Sequence, residues 1–256
     1  MEPDLIPPVV PAGSERSDEV VLMEVCRNGK VLIGEDRGDA IGWEEAEIGA
    51  MILYCSPTCH YGHQVRIVWH EKGLSDQIQF IDPTHPPEVV AENHPDGGGL
   101  LLVDRDLSLS HPIVILEYLE ERFPHPLLYP LEPSERAVTR TAIFRIYEEW
   151  YTVVDELLNA GEKKASRLRK QLRERLTEAL PLFAARPYFL SSDFSILDCL
   201  LAPLLWRLPS LGIDLVRESK PLRLYAQRLF RRASWQASLS EEEREMKPPL
   251  EFLAAP

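Results

Sequence analysis

The sequence predicts a small mixed α/β domain over residues 49–126, followed by an all-helical domain over residues 132–246. Two observations carry this prediction. Strand-like and helix-like patterns alternate up to residue 126, whereas no strand-like pattern occurs in the sequence after about residue 132. Alternating short apolar runs and amphipathic segments are typical of helices packed on a sheet, and long amphipathic periodicities are typical of helical bundles.

The first domain opens with a buried-strand pattern, AMILYC, and an amphipathic helical segment that Gly73 is expected to end. A second strand (IQFID), a short helix (PPEVVAENHPDGG) and two strands within LLLVDRDLSLS follow. The last element is the helix HPIVILEYLEERF, where Pro112 is tolerated in the first turn. The order β-α-β-α-β-β-α predicts a thioredoxin-like unit.

The second domain is predicted to consist of long helical segments, at 134–160, 162–185, 195–210 and 219–233. In the second segment, leucines recur every four residues and form one apolar stripe, at Leu168, Leu172, Leu176 and Leu180. Basic residues cover the rest of that helix, and a solvated face is favoured over a basic binding patch. In the third segment, Ser195 and Asp198 have capping-box spacing, and the apolar run after them predicts a buried central helix.

Residues 1–48 form an acidic extension, with 12 Asp and Glu against 4 Lys and Arg. Proline and charge in MEPDLIPPVVPAGSERSD disfavour a packed core. Two strand-like runs then flank Asn28-Gly29, a pair that favours a type I′ hairpin turn. We predict a tail plus a hairpin here, with a mobile extension that has no function as the alternative. Residues 247–256 are expected to form a C-terminal tail.

The composition excludes several functional classes. The formal net charge of -13 gives no general attraction to nucleic acid or to an anionic membrane. The apolar runs are too short for a membrane span, and the first residues lack the pattern of a secretory signal. Four cysteines in a chain of 256 residues do not indicate a disulfide framework. We therefore expect a cytoplasmic protein with no membrane association and no strong direct binding to nucleic acid.

The sequence also lacks the common patterns of metal, nucleotide and hydrolytic sites. Its seven histidines do not stand in a metal-ligand pattern, and it has neither a glycine-rich phosphate motif nor a serine nucleophile elbow. The expectation is no metal, no cofactor and no catalytic residue.

The chain resembles the glutathione transferase superfamily and, within it, the stringent starvation protein A family of bacterial RNA-polymerase-associated proteins. The matching segments cover nearly all of residues 51–246: HQVRIVWHEKGL (63–74), LVDRDLSL (102–109), EYLEERFPHPLLYP (117–130), WYTVVDELLN (150–159), RKQLRERL (169–176), RPYFLSSDFSILDCLLAPLLWRLPSLGI (186–213) and SLSEEEREM (238–246).

This resemblance implies a glutathione-transferase-like fold, with an N-terminal thioredoxin-like domain followed by an all-helical C-terminal domain. It also implies a homodimer without transferase activity that binds RNA polymerase holoenzyme, loaded with its sigma factor, and redirects promoter use under stress or starvation. Some relatives pair with a paralogue, so a heterodimer stays an alternative.

The resemblance also locates a glutathione site. Cys59 stands at the reactive-cysteine position of omega-like transferases, where a helix N-terminus and His60 would both favour a thiolate. Gly62 stands where the second cysteine of a Cys-x-x-Cys motif would fall, so a dithiol cycle of that type is absent. Cys55 lies four residues before Cys59 and is not favoured as a resolving partner.

Two other parts of that site are altered. Leu100 stands where the superfamily has a cis-proline, and a cis bond before a non-proline residue costs about 2.5–4 kcal/mol, so a trans bond is expected. His111-Pro112 replaces the Glu-Ser pair that grips glutathione, and proline has no N–H to donate. We expect glutathione turnover to be lost or very weak. The alternative is a Cys59-dependent glutathione transferase or thiol reductase of the omega-like type.

A second candidate site follows the last helix of the first domain. In the family that the chain resembles, a Pro-His-Pro triplet belongs to an exposed pocket needed for the transcription role, which implies this role for Pro124, His125 and Pro126. A basic residue of that pocket matches Arg105, whereas a tyrosine of the pocket is replaced by Glu132. The alternative is a helix stop and an interdomain linker, where prolines are common.

Overall fold

The structure is a computed structural model of the chain. It describes residues 51–74, 77–81, 90, 99–105 and 107–246, apart from the side chains of residues 77, 216 and 217. Of the N-terminal extension it describes only the backbone of residues 22–25, 30–36 and 41–47.

A four-stranded mixed sheet forms the centre of the first domain. Its strands are β4 (Ile52–Cys55), β5 (Gln77–Phe80), β6 (Leu100–Asp104) and β7 (Leu107–Leu109), in the order β5-β4-β6-β7. β4 runs parallel to β5 and antiparallel to β6. Helices α1 (His60–Glu71) and α2 (Pro112–Arg122) pack against each other beside this sheet. The thioredoxin-like prediction is confirmed, although the predicted helix PPEVVAENHPDGG lies outside the described residues except for Val90.

The second domain is built from helices, as predicted, and its described residues add one isolated β-bridge between Tyr188 and Ser191. Its helices are α3 (Pro133–Ile146), α4 (Thr152–Leu158), α5 (Glu162–Glu178), α6 (Leu180–Ala185), α7 (Ile196–Arg207), α8 (Leu215–Glu218), α9 (Lys220–Phe230), α10 (Ala233–Ser238) and α11 (Glu241–Glu245). The predicted capping box of Ser195 and Asp198 is present, and every residue of α7 is buried. The interdomain boundaries at residues 126 and 132 stay predictions.

The helix predicted over 134–160 is interrupted in its middle. Residues Tyr147–Tyr151 form one π-helical turn between α3 and α4. A π turn inserts one residue and rotates the side chains that follow it. Apolar periodicity does not show such an insertion, because the buried positions continue on both sides of the turn. The long segment 162–185 is likewise two helices, and α5 buries Leu168, Leu172 and Leu176 as the stripe predicts.

The described part of the extension is a three-stranded antiparallel sheet, in the order β1 (Leu22–Val25), β2 (Lys30–Asp36) and β3 (Ile41–Glu47). The predicted strand pair is present, and β3 adds a strand that was not predicted. Val25 pairs with Val31. The residues of the predicted Asn28-Gly29 turn lie outside the described ones.

Helix α1 is the element that joins the two domains. It packs on α10 and α7 as well as on α2, and its residues His63–Trp69 are all buried. The apolar core therefore continues from the sheet into the helical domain. Within the part of the chain that the structure describes, no helix is long and apolar enough to cross a bilayer.

Candidate functional site

The loop that carries Cys59 is fixed by backbone hydrogen bonds. Ser56 N donates to the carbonyl of Gly99 (2.8 Å), and Cys59 N donates to the carbonyl of Ser56 (3.1 Å). Cys59 is the N-cap of α1, and its Sγ accepts from Gly62 N (3.4 Å). The sequence therefore places the half-buried Cys59 correctly at the start of the first helix.

The N–H groups at the start of α1 favour the Cys59 thiolate, as expected, but they do not determine the direction of the pKa shift. Burial raises the pKa of the Cys59 thiol, and it outweighs the opposing effects of the Gly62 and Tyr61 N–H groups and of the Arg207 and Arg66 charges. A thiol that stays protonated is a poor nucleophile.

His60 faces the helical domain, where it joins an aromatic cluster. Its ring stacks on Tyr151 (centroids 5.1 Å apart), and its Nε2 lies 3.1 Å from Asp155 Oδ1. The hydroxyl of Tyr61 donates to Asp155 Oδ2 (2.6 Å), and that of Tyr147 donates to Gln64 Oε1 (2.5 Å). These side chains thus bond to one another where α1 faces the helical domain.

The two altered glutathione positions offer few groups to a ligand. Leu100 begins β6 opposite Cys55, and its side chain is buried. The only cis peptide bond among the described residues precedes Pro126, so the Gly99–Leu100 bond is trans, as expected. His111 is exposed at the start of α2 without a side-chain capping bond, and Pro112 follows it.

A buried cluster of charges connects the Cys59 loop to the end of the chain. Glu243 is fully buried, and its carboxylate accepts from Arg66 Nη2 (2.6 Å) and from Arg207 Nη2. Arg207 Nη2 also donates to the carbonyl of Thr58 (3.1 Å), and Ser240 Oγ donates to that of Pro57 (2.9 Å). We call Ser238, Ser240 and Glu243 the C-terminal clip.

Burial opposes ionisation of Glu243, but His63 and the two guanidinium groups outweigh it and lower the pKa of the carboxyl to about 2. Burial, helped by the same guanidinium charges, lowers the pKa of His63 to about 3. His63 is therefore neutral at pH 7. His63 Nε2 lies 3.0 Å from Ser238 Oγ, and its Nδ1 lies 3.1 Å from both Arg207 Nη1 and Glu243 Oε1.

The Pro-His-Pro triplet is exposed, but a buried ion pair holds the backbone beneath it. Lys72 Nζ donates to Glu120 Oε2 (2.5 Å) and to the carbonyl of Pro126 (2.6 Å). Glu120 Oε1 accepts from the backbone N–H groups of Leu128 (3.1 Å) and Tyr129 (3.2 Å). Both charged side chains are buried, so the segment that follows α2 is fixed from below while Pro124, His125 and Pro126 face solvent.

Arg105 is exposed in the tight turn between β6 and β7, with a positive φ of 55°. The preceding residue, Asp104, is buried, accepts from the Tyr118 hydroxyl (2.5 Å) and lies 3.0 Å from Arg122 Nε. Arg122 is the last residue of α2, two positions before Pro124. Asp104 thus fixes the Arg105 turn against the helix end that leads to the triplet. We call Arg105, Pro124, His125 and Pro126 the proline surface.

Glu132 is exposed at the N-cap of α3 and makes no capping bond with its side chain. Among the described residues, no group of three His, Cys, Asp or Glu side chains is placed to hold a metal ion.

Sequence reasoning missed both buried charge clusters. The Ser240-x-x-Glu243 spacing is a capping-box signal that could have drawn attention to the C-terminal clip. No sequence signal pairs Lys72 with Glu120, which are 48 residues apart.

Comparisons with known proteins agree with this architecture. The family model for the N-terminal domain of glutathione S-transferase matches residues 53–127. Among solved structures, a ternary complex of BphK, a bacterial glutathione transferase, superposes with a TM-score of 0.68 at 23% identity, over 75% of this chain and 99% of that one. The chain therefore has a glutathione-transferase-like fold.

Two curated relatives place the chain more narrowly. The stringent starvation protein A homolog of Coxiella burnetii is 42% identical over 198 residues, which is 77% of this chain and 95% of that protein. The homolog of Pasteurella multocida is 42% identical over 74% of this chain and 90% of its own length. The chain belongs to the stringent starvation protein A family.

Proposed function

We propose that the chain is a transcription regulator without enzymatic activity that binds RNA polymerase holoenzyme, on the polymerase or on its sigma factor, under stress or starvation. The single observation that supports this most is the proline surface, whose exposed residues Pro124, His125 and Pro126 lie on a backbone fixed by the buried Lys72–Glu120 pair. A surface fixed before binding loses little conformational freedom when a partner docks. The acidic chain would approach basic faces of the partner.

The test is recovery of polymerase holoenzyme on the tagged chain. Replacing Pro124, His125 and Pro126 together by alanine, or Arg105→Ala, is expected to reduce recovery at least tenfold, equivalent to about 1.4 kcal/mol of binding free energy. Arg167→Ala is the control, because Arg167 is an exposed basic residue on α5, away from this surface. Unchanged recovery with a folded triple variant would contradict the proposal.

The native mass of the same bait tests how the chain assembles. We propose a homodimer, which predicts a mass of two chains in the absence of any other polypeptide. An obligate heterodimer with a paralogue predicts that the isolated chain stays monomeric.

A Cys59-dependent glutathione enzyme is the rival function, and the position of Cys59 at the N-terminus of α1 favours it. The raised pKa of its thiol and the altered residues Leu100, His111 and Pro112 argue against it. We expect no retention on immobilised glutathione and no turnover that differs between the native chain and Cys59→Ser. Retention together with turnover that is lost in Cys59→Ser would establish the enzyme instead.

A further inference from the structure

Cys55 and Cys59 lie on either side of Gly62. A Cβ atom added at Gly62 would be 2.8 Å from Cys55 Cβ, 3.4 Å from Cys55 Sγ and 3.6 Å from Cys59 Cβ. A single point in space therefore touches both cysteine side chains. Both thiols are free in the structure.

That point is where a redox motif with two cysteines would place its second side chain. In a Cys-x-x-Cys motif that begins a helix, the second cysteine stands three residues after the first, which is position 62 here. The side chain of Cys55 fills the space that this second cysteine would need. Cys55, at the end of β4, therefore occupies the place beside Cys59 that a second cysteine on α1 would take.

The two thiols differ in exposure and in their neighbours, and this gives them different roles. Cys59 accepts a hydrogen bond from Gly62 N. Because Cys59 is only half-buried, a reagent in solution reaches this thiol first. Cys55 is fully buried, and Arg66 Nη1 donates to its Sγ (3.3 Å). A guanidinium group beside a sulfur stabilises the thiolate that forms during disulfide exchange.

We propose that Cys55 and Cys59 form a reversible dithiol–disulfide pair that reacts with small organic disulfides. Cys59 loses its proton and attacks one sulfur of the reagent RSSR, whose S–S bond breaks and releases one thiolate, which takes up that proton. Cys55 then loses its proton and attacks Cys59 Sγ. The bond between Cys59 and the reagent breaks, and the second thiolate that leaves takes up the Cys55 proton. The protein loses two hydrogen atoms and becomes oxidised, while RSSR is reduced to two RSH.

The reaction is expected to accelerate as the pH rises above 7. Burial raises the pKa of both thiols, so the attacking thiolate is scarce at neutral pH. Rates of thiol–disulfide exchange follow the thiolate fraction. The pair is thus a slow modification site and not an efficient catalyst of disulfide exchange.

The test uses the native chain, hydroxyethyl disulfide as the reagent, an acid quench, alkylation and mass spectrometry of tryptic peptides. Residues 38–66 form one tryptic peptide that contains both thiols, whereas Cys26 and Cys199 fall on other peptides. We expect this peptide to appear unalkylated and two hydrogen atoms lighter.

Cys55→Ser gives the discriminating measurement, because a serine hydroxyl is small and can still accept from Arg66. In this variant the mixed disulfide on Cys59 should accumulate at least tenfold above its level in the native chain. In Cys59→Ser, neither the disulfide nor an adduct should form. Equal adduct levels in the native chain and in Cys55→Ser, or full alkylation of both native thiols, would overturn the proposal. The result with the native chain requires no variant to fold.

Discussion

Glu243→Gln is expected to lower the free energy of unfolding by about 3–5 kcal/mol. The Glu243 carboxylate is fully buried and lies between Arg66 and Arg207. Removing its charge leaves two guanidinium groups without their common partner. It also disturbs the capping box with Ser240, which holds the carbonyl of Pro57. Urea unfolding followed by circular dichroism measures the change.

The pH dependence should change in the same variant. The pKa of Glu243 is about 2 in the fold against an ordinary value of 4.5, so its stabilising effect is complete above about pH 4.5 and is lost as the pH falls towards 2. The pKa of His63 is about 3 against 6.5, so protonation of the unfolded chain lowers stability as the pH falls below 6.5. Both effects destabilise the fold in acid. Between pH 4.5 and 3, stability should fall less steeply in Glu243→Gln than in the native chain.

Glu242→Gln is the matched control, because Glu242 stands beside Glu243 on α11 and is exposed. Its effect on stability should stay within about 0.5 kcal/mol. A loss below about 1 kcal/mol in Glu243→Gln would be ordinary for a surface substitution, and it would show that the buried pairs contribute little.

Glu120→Gln is expected to destabilise the chain by a similar amount, about 3–5 kcal/mol, and to reduce polymerase recovery. The substitution leaves the buried ammonium group of Lys72 without its carboxylate. Lys72 also donates to the carbonyl of Pro126, so the proline surface loses its support from below. Chemical unfolding measures the first effect. Holoenzyme recovery at a temperature where the variant is folded measures the second.

Glu121→Gln provides the control on the same helix, since Glu121 is exposed. A double-mutant cycle with Lys72→Met gives a sharper test. If the ion pair is responsible, the double variant should be more stable than the sum of the two single effects predicts, by about 0.5–3 kcal/mol. Additive effects would contradict the assignment.

Local patterns were enough to predict most elements of the fold. The stop at Gly73, the capping box of Ser195 and Asp198 and the leucine stripe of α5 each depend on residues a few positions apart. The π turn at Tyr147–Tyr151 could not be predicted in this way. Its aromatic side chains make contacts with Gln64 and with the Leu200 carbonyl, both distant in sequence.

Some features of the candidate site could likewise be predicted from local sequence, and others could not. The location of Cys59 and the trans bond before Leu100 follow from residue identity and position. The raised pKa of the Cys59 thiol does not follow from them, because its main cause is burial, which is visible only in the folded chain. Spacing alone does not favour Cys55 as a partner of Cys59. Because Gly62 has no side chain, Cys55 and Cys59 both lie beside the same point of α1, and that is visible only in three dimensions.

The C-terminal clip has a consequence for the order in which the chain folds during translation. Pro57 and Thr58 leave the ribosome early, but the groups that bind their carbonyls, on Ser240 and Arg207, are synthesised much later. Arg66 is likewise synthesised long before Glu243, the carboxylate to which it donates. Proteins of several domains generally fold from the N-terminus as each unit emerges. Here the nascent α/β domain stays incomplete until translation has passed residue 243, so the two halves must acquire their final structure together.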